Sequence, residues 1–162
     1  MTQKTKHKGF TLIELLVVIA IIGLLSTLAV VALNNARAKG RDAKRVADVK
    51  SIQTALELYF ADKNTYPVVA TGSLTLGETG ALTLSQTNGF DDTIAGTTYM
   101  GKVPDNPTPP GSCDNYSYRS TNNAFAACGT GPCKSYDLVF CLEDITGSLF
   151  AGEHSAHPAG ID

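Results

Sequence analysis

Lys8-Gly9-Phe10-Thr11-Leu12-Ile13-Glu14-Leu15-Leu16-Val17-Val18-Ile19-Ala20-Ile21-Ile22-Gly23 opens the stretch whose reading decides the fold. From Phe10 to Leu33 every residue is apolar or glycine except Thr11, Glu14, Ser26 and Thr27. As a helix this run is about 36 Å long, enough to cross a hydrocarbon core of about 30 Å. The residues before it are polar and carry Lys4, Lys6 and Lys8. A secretory signal peptide has a similar basic start, and Ala36-Arg37-Ala38 would serve as its cleavage site. The run, however, outlasts the about 7–15 apolar residues of such a signal. Glu14 fits that reading badly too. A carboxylate inside the bilayer costs about 2.5–3.5 kcal/mol on insertion scales, so one placed there points to a partnered, functional group.

The helical pattern continues beyond the span, with no proline before Pro67. Val46, Val49, Ile52, Leu56, Tyr59 and Phe60 recur at three- and four-residue steps and form one apolar stripe, which predicts burial against a globular head. Asp62-Lys63-Asn64-Thr65-Tyr66-Pro67 ends the helix: Asn64 suits a C-cap and Pro67 forbids continuation.

Lys8-Gly9-Phe10-Thr11-Leu12-Ile13-Glu14 resembles the processing site of type IV prepilins and type II secretion pseudopilins. The stretch from Asp48 through Ile52, Leu56, Tyr59 and Asp62 to Tyr66-Pro67 is similar to the end of the long helix in the major pseudopilins and related pilins. Together these cover roughly the first 67 residues. The resemblance implies a leader ending at Gly9, cleavage by a prepilin peptidase, and N-methylation of the new N-terminal Phe10. Glu14 then falls at the fifth mature position, where the family's glutamate neutralises a neighbour's terminal amine during assembly. That role is physically sound, because two unlike charges attract strongly in a low-dielectric layer and either one alone is costly there. Many relatives have a proline at the position of Val31; its absence here predicts an unkinked helix. Gly23-x-x-x-Thr27 adds a small-xxx-small pattern of the kind that lets helices approach closely.

Charge divides the chain. Nine of the 13 Lys and Arg lie between Lys4 and Lys50, whereas the sequence from Ser51 onward has four basic residues against twelve acidic ones. An acidic head is a poor direct ligand for nucleic acid. Arg37, Lys39, Arg41, Lys44, Arg45 and Lys50 form a basic collar after the span. Three readings of it stand open: binding of anionic lipid headgroups, pairing with Asp42 and Asp48 of neighbouring subunits, and a solvated basic face.

All four cysteines, Cys113, Cys128, Cys133 and Cys141, fall in the last third. Their spacing fits no common zinc site and contains no C-x-x-C, so they read as two disulfides formed outside the cytoplasm. Of three possible connectivities the preferred one joins Cys113 to Cys141 and Cys128 to Cys133. It follows if Tyr116-Ser-Tyr-Arg119 and Tyr136–Leu142 form an antiparallel pair. Ser148 to Ser155 reads as a further strand, and the near copies Gly72–Leu76 and Gly80–Leu84 as a hairpin. His154 and His157 alternate faces on a strand and converge poorly on a metal. Asp91-Asp92 offers carboxylates for a calcium site such as the secretion pseudopilins have, but the acidic loop near the C-terminus that the resemblance implies has no match here. No cofactor, metal or catalytic constellation is expected.

The expected architecture is α+β and pilin-like: a leader over residues 1–9, a membrane and filament-core helix over 10–33, its amphipathic half over 34–66, and a disulfide-bearing β-rich head over 67–162. The expected function is that of a structural subunit, not an enzyme. It waits in the inner or cytoplasmic membrane as a single-pass precursor with its head outside the cytoplasm. It then polymerises with itself into an extracellular pilus for adhesion, motility or DNA uptake. Its expected partners are the peptidase–methyltransferase, the assembly platform protein with its ATPase, and the membrane. A type II secretion pseudopilin is the alternative within the family. A signal-anchored binding module is the alternative from another class.

Overall fold

The computed structural model describes residues 9–70, 72–108, 115–124 and 126–162. Residues 1–8 of the expected leader, the end of the 102–111 loop and Cys113 lie outside the described residues.

One helix, α1 (Leu12–Lys63), runs unbroken through Gly23, Gly40 and Val31. Neither glycine interrupts it, since isolated glycines cost helix stability without blocking the backbone geometry. The chain divides after Arg37 into an N-terminal unit and a compact unit, Ala38–Asp162. In the compact unit α1 buries Val49, Ile52, Ala55, Leu56 and Tyr59, with Val46 and Phe60 partly covered. Asn64 terminates the helix in the left-handed region, at φ 54°, while its N–H still donates to Phe60 O at 2.7 Å. Asparagine tolerates this conformation because its short polar side chain bonds locally.

Eight short strands follow: β1 (Leu74–Thr75), β2 (Thr83–Ser85), β3 (Gly89–Asp91), β4 (Thr98–Met100), β5 (Ser117–Thr121), β6 (Ser135–Leu142), β7 (Gly152–His157) and β8 (Gly160–Ile161). They form a five-stranded antiparallel sheet ordered β1-β5-β6-β7-β8 and a three-stranded antiparallel sheet ordered β3-β2-β4. The fold is α+β, one long helix packed on antiparallel sheets.

The expected pairing of Tyr116–Arg119 with Tyr136–Leu142 is present, with Tyr118 opposite Leu138 and Ser120 opposite Tyr136. The strand expected at Ser148–Ser155 begins later, at Gly152, because Thr146 and Leu149 close a turn with reciprocal backbone bonds. The hairpin expected from the two near copies does not form. Leu74 pairs with Tyr118 in the larger sheet, whereas Thr83–Ser85 enters the smaller one. The chain does turn between them, with Gly77 N–H donating to Ala81 O at 3.2 Å. Gly77 has φ +80°, and a Cβ there would sit 2.8 Å from Pro104 O. That turn is wedged against another segment, so the flanking strands leave in different directions.

Aromatic rings join the layers. Phe90 of β3 packs on Tyr118 of β5 at 4.9 Å between centroids, Tyr118 on Tyr136 at 6.1 Å, Tyr136 on Tyr66 at 4.8 Å, and Tyr66 on Phe60 at 4.6 Å. These edge and offset contacts add to the gain from burial. Leu56, fully buried beneath this core, is the test of the helix–sheet interface. Leu56→Ala should destabilise the compact unit by about 2–5 kcal/mol, read by loss of the tyrosine near-ultraviolet circular dichroism during urea titration in detergent. Leu58→Ala, on the exposed face, should leave the midpoint nearly unchanged.

Candidate functional sites on the helix

At its N-terminus α1 begins with a capping box. Thr11 N–H donates to Glu14 Oε2 at 2.8 Å, the Thr11 hydroxyl donates to the same oxygen at 2.6 Å, and Glu14 N–H donates back to Thr11 Oγ1 at 3.3 Å. The arrangement satisfies helix-terminal N–H groups that have no partner within the helix. The Thr-x-x-Glu signal stands in the sequence, but a reading of Glu14 as an assembly group passes over its local work.

Beyond the cap, large apolar side chains from Leu12 to Leu33 are exposed on every side of the helix; even Phe10 is 84% exposed. The span meets the length and composition of a membrane-crossing helix. Its hydroxyls are satisfied internally, Ser26 Oγ donating to Ile22 O at 2.7 Å and Thr27 Oγ1 to Leu24 O at 2.8 Å. Internal satisfaction is what an apolar solvent demands. At Gly23 nothing lies within 4 Å of where a Cβ would be. The face shared by Gly23 and Thr27 is therefore open to a neighbouring helix.

The second site is a charge cluster that corrects the reading of the collar. Arg45 and Asp42 have side chains 0% exposed. Arg45 Nη1 donates to Asp42 Oδ1 and to Glu143 Oε1, both at 2.6 Å, Nε to Asn106 Oδ1 at 2.9 Å, and Nη2 to Pro107 O at 3.1 Å. Arg41 Nε donates to Glu143 Oε1 at 2.7 Å, and its Nη2 pairs with Oε2. Asp42 accepts the backbone N–H of Glu143 at 3.0 Å and of Asp144 at 2.8 Å. Thus Arg41, Asp42 and Arg45 are internal fastenings, not a solvated face or partners for a neighbour. Lys44 and Asp48 meet each other within the chain at 3.5 Å; Lys39 and Lys44 remain exposed. Helical spacing alone placed these three residues near one another. Their partners lie 61 and 62 residues away at Asn106 and Pro107 and 98–102 residues away at Glu143 and Asp144, which no local pattern announces.

In the head, Cys128 and Cys133 form a disulfide, and Cys141 is also disulfide-bonded. Among the described residues no group of His, Cys, Asp and Glu is placed to hold a metal ion. Asp91 takes Thr93, and Asp92 accepts Gly80 N–H at 2.6 Å. His154 faces the carbonyls of Phe150 and Asp162, and His157 meets Asp162 Oδ1 at 2.8 Å.

A family described as "Prokaryotic N-terminal methylation motif" matches residues 4–30. The chain is 40% identical over 70 residues to "Type II secretion system core protein G" of Aeromonas hydrophila, covering 43% of this chain and 49% of that one. It is 38% identical over 82 residues to the protein of the same description in Escherichia coli K12, 51% of this chain and 57% of that one. To "Type IV major pilin protein PilA" of Myxococcus xanthus it is 34% identical over 61 residues, 38% of this chain and 28% of that one. The chain spans about half the length of the secretion relatives it matches. No solved structure matches.

The charge cluster makes a pH prediction. The hydrogen bond from Arg41, followed by that from Arg45, holds the Glu143 carboxyl at about 2, below its ordinary 4.5. A depressed folded-state value means stability fully present above pH 4.5 and lost as pH falls from 4.5 toward 2. The loss from this group should be at most about 3 kcal/mol. Urea midpoints measured across that window should fall steeply in the native chain. In Glu143→Gln the contribution of this residue to the slope should vanish.

Proposed function

We propose that this chain, a member of the pilin and pseudopilin family by its N-terminal motif and relatives, is the structural subunit of an extracellular pilus. It is made as a precursor anchored in the inner or cytoplasmic membrane. A prepilin peptidase cuts between Gly9 and Phe10 and methylates Phe10. Residues 10–33 then leave lipid for the core of a helical homopolymer, driven by an assembly platform protein and its ATPase. Residues 34–66 support the head, 67–162, which stays outside the cytoplasm. The role is mechanical, not enzymatic.

One observation carries this reading. A helix that is apolar around its whole circumference begins with a lone, exposed carboxylate four residues after Phe10. In lipid or in a bundle of such helices that carboxylate needs a cation, and cleavage after Gly9 creates one at every subunit's tip. Both Thr11 donors use Glu14 Oε2. Oε1 is left as the acceptor for a neighbour's terminal amine, so capping and pairing are compatible.

The secretion pseudopilus is the second reading, favoured by the similarity to several secretion core proteins G. Those matches cover about half of this chain, and the filament itself discriminates. Long fibres sheared from the cell surface support the pilus, and short periplasmic ones the pseudopilus.

Two experiments test membership and mechanism. Mass spectrometry of material from cells with the assembly machinery should find a mature chain beginning at methylated Phe10. A chain retaining Met1, or beginning at Lys39, overturns the reading. Glu14→Ala should insert into the membrane at normal levels yet yield little or no sheared filament, because an amine left without its carboxylate is penalised by several kcal/mol at low dielectric. Wild-type filament yield from that variant would sink the pairing role.

A further inference from the structure

Two histidines of β7 close on a single residue, Asp162, which follows β8. His154 Nδ1 lies 2.9 Å from Asp162 O, and His154 Nε2 lies 2.7 Å from Phe150 O. His157 Nε2 lies 2.8 Å from Asp162 Oδ1. Alternation along a strand sends the two rings to opposite faces. His154 takes the face of Ala156, which is buried in the core, and its ring sits 5.6 Å from that of Phe140 on β6.

The contacts of His154 set a chemical condition. Carbonyl oxygens accept hydrogen bonds and never donate them, so both ring nitrogens have to donate. A neutral imidazole has one N–H and one lone pair, and satisfies one of the two oxygens while turning a lone pair on the other. The imidazolium donates from both nitrogens. Histidine is also the side chain that changes charge between about pH 5 and 8.

We infer that His154 is a proton-operated clasp: charged, it ties Phe150 to Asp162 and holds β8 on the sheet; neutral, it gives up one of the two bonds and β8 loosens. The bond to Phe150 is the shorter, and Asp162 O keeps the Ser155 N–H at 3.3 Å when the ring lets go. The Asp162 contact is therefore the one surrendered. Because the closed form takes up the proton, closure strengthens as pH falls and weakens as it rises. The clasp lies wholly within the compact unit and does not rest on the function proposed above.

β8 is built to respond to so small a change. It has two residues, ends the five-stranded sheet, and pairs with β7 through Ala156–Ile161 and His157–Gly160. Reciprocal bonds between Ser155 and Asp162 extend the ladder by one step. So short an edge strand belongs to the low end of local stability, where one hydrogen bond shifts the open population. When β8 leaves, β7 becomes the edge and its outward N–H and C=O groups lose their partners. Proton uptake thus decides where the sheet ends.

The charges around the ring leave that control to His154. On its own face β6 presents Leu138, Phe140 and Leu142, none of which titrates. From α1, Lys50 and Glu57 line the cleft beside Gly160, one of each sign. In the preceding loop, Glu143 is held by Arg41 and Arg45, and Asp144 by Ile145 N–H. Glu153, the next residue along β7, is exposed on the opposite face. On that outer face Asp137, one step past the Leu138–Ala156 pair, stands across from His157 and is held by Arg119 at 2.9 Å. The Asp162 carboxylate that meets His157 is itself well exposed, so water screens that pair.

Amide hydrogen exchange by NMR on the full-length chain in detergent micelles, corrected for intrinsic rates, tests the clasp at about pH 5.5 and about pH 8. Both points lie above 4.5, so the Glu143 cluster contributes equally at each. Protection of the Asp162 and Ser155 amides should fall about three- to tenfold from the lower pH to the higher, the worth of one hydrogen bond. The Tyr66 amide, bonded to Cys133 O at the far end of the sheet, should not change. In His154→Gln the protection should be the same at both pH values. Asp162→Asn keeps the backbone carbonyl and should keep the pH response.

Unchanged protection in the native chain overturns the proposal, and so does a pH response that survives in His154→Gln. An equal change at Tyr66 overturns it too, because the whole unit would then be responding. Loss of the response in Asp162→Asn assigns the switch to His157 and overturns the role of His154. Should His154→Gln fail to fold, the native ring still decides. Both of its N–H protons should be shielded from exchange with water at the lower pH, and rapid exchange of either one refutes the clasp.

Discussion

A single unbroken helix has to satisfy two different surroundings, and the rest of the chain answers to that constraint. Through residue 33 its side chains are apolar on all faces and cover nothing. From Val46 onward they are apolar on one stripe and covered there by sheet. The changeover needs charged residues, since that end of the helix must stop being soluble in hydrocarbon. It also needs contact with the sheet, since the stripe begins there. Those demands meet at Asp42 and Arg45, and burying two charges is tolerable only when nearly every donor and acceptor is used. Arg45 makes bonds to Asp42, Glu143, Asn106 and Pro107, and Asp42 takes two backbone N–H groups besides. The result is a fastening that tolerates little slippage of the helix along the sheet.

A second fastening sits at the other end. Asn64 O and Oδ1 accept Lys134 Nζ, Tyr66 N–H donates to Cys133 O at 2.9 Å, and Thr65 Oγ1 accepts Cys133 N–H at 2.8 Å. The Cys128–Cys133 bridge closes the loop that delivers these groups. Between the fastenings, the helix from Asp42 to Asn64 rises about 33 Å at 1.5 Å per residue. The strand segment from Lys134 to Glu143 covers about 30 Å at 3.3 Å per residue. The two lengths agree closely enough for β6 to act as a strut of the same length as the helical segment it lies along. Removing one residue from either would misalign a buried charge cluster or a helix cap, so the lengths of α1 and β6 are coupled.

That coupling explains which parts of the fold were legible in the sequence. The span, the stripe, the Asn64 stop and the β5–β6 pair are set by patterns within a few residues or by simple alternation, and all four stand in the structure. The charge cluster was invisible because Arg41, Asp42 and Arg45 look like surface residues until Glu143, far along the chain, arrives beside them. The false hairpin failed for a related reason. Gly72–Leu76 and Gly80–Leu84 carry the local grammar of paired strands, but their partners are chosen by β5 and β3, and the turn between them is committed to Pro104. The Thr11–Glu14 cap was legible and was overshadowed by a bolder reading of the same glutamate.

Under the function proposed above, cap and assembly group are one device. A carboxylate on a long flexible side chain, free to wander at the tip of an apolar helix, would lose much of its pairing energy to the entropy of being held. Thr11 removes that freedom beforehand, with two donors on Oε2 that fix the carboxylate against the first turn. The helix N-terminus also carries partial positive charge, which lies beside the carboxylate. On the proposed reading, the neighbour's amine therefore meets an oriented anion instead of a mobile one. The cost of organising the site has then been met within the monomer before any filament contact is made.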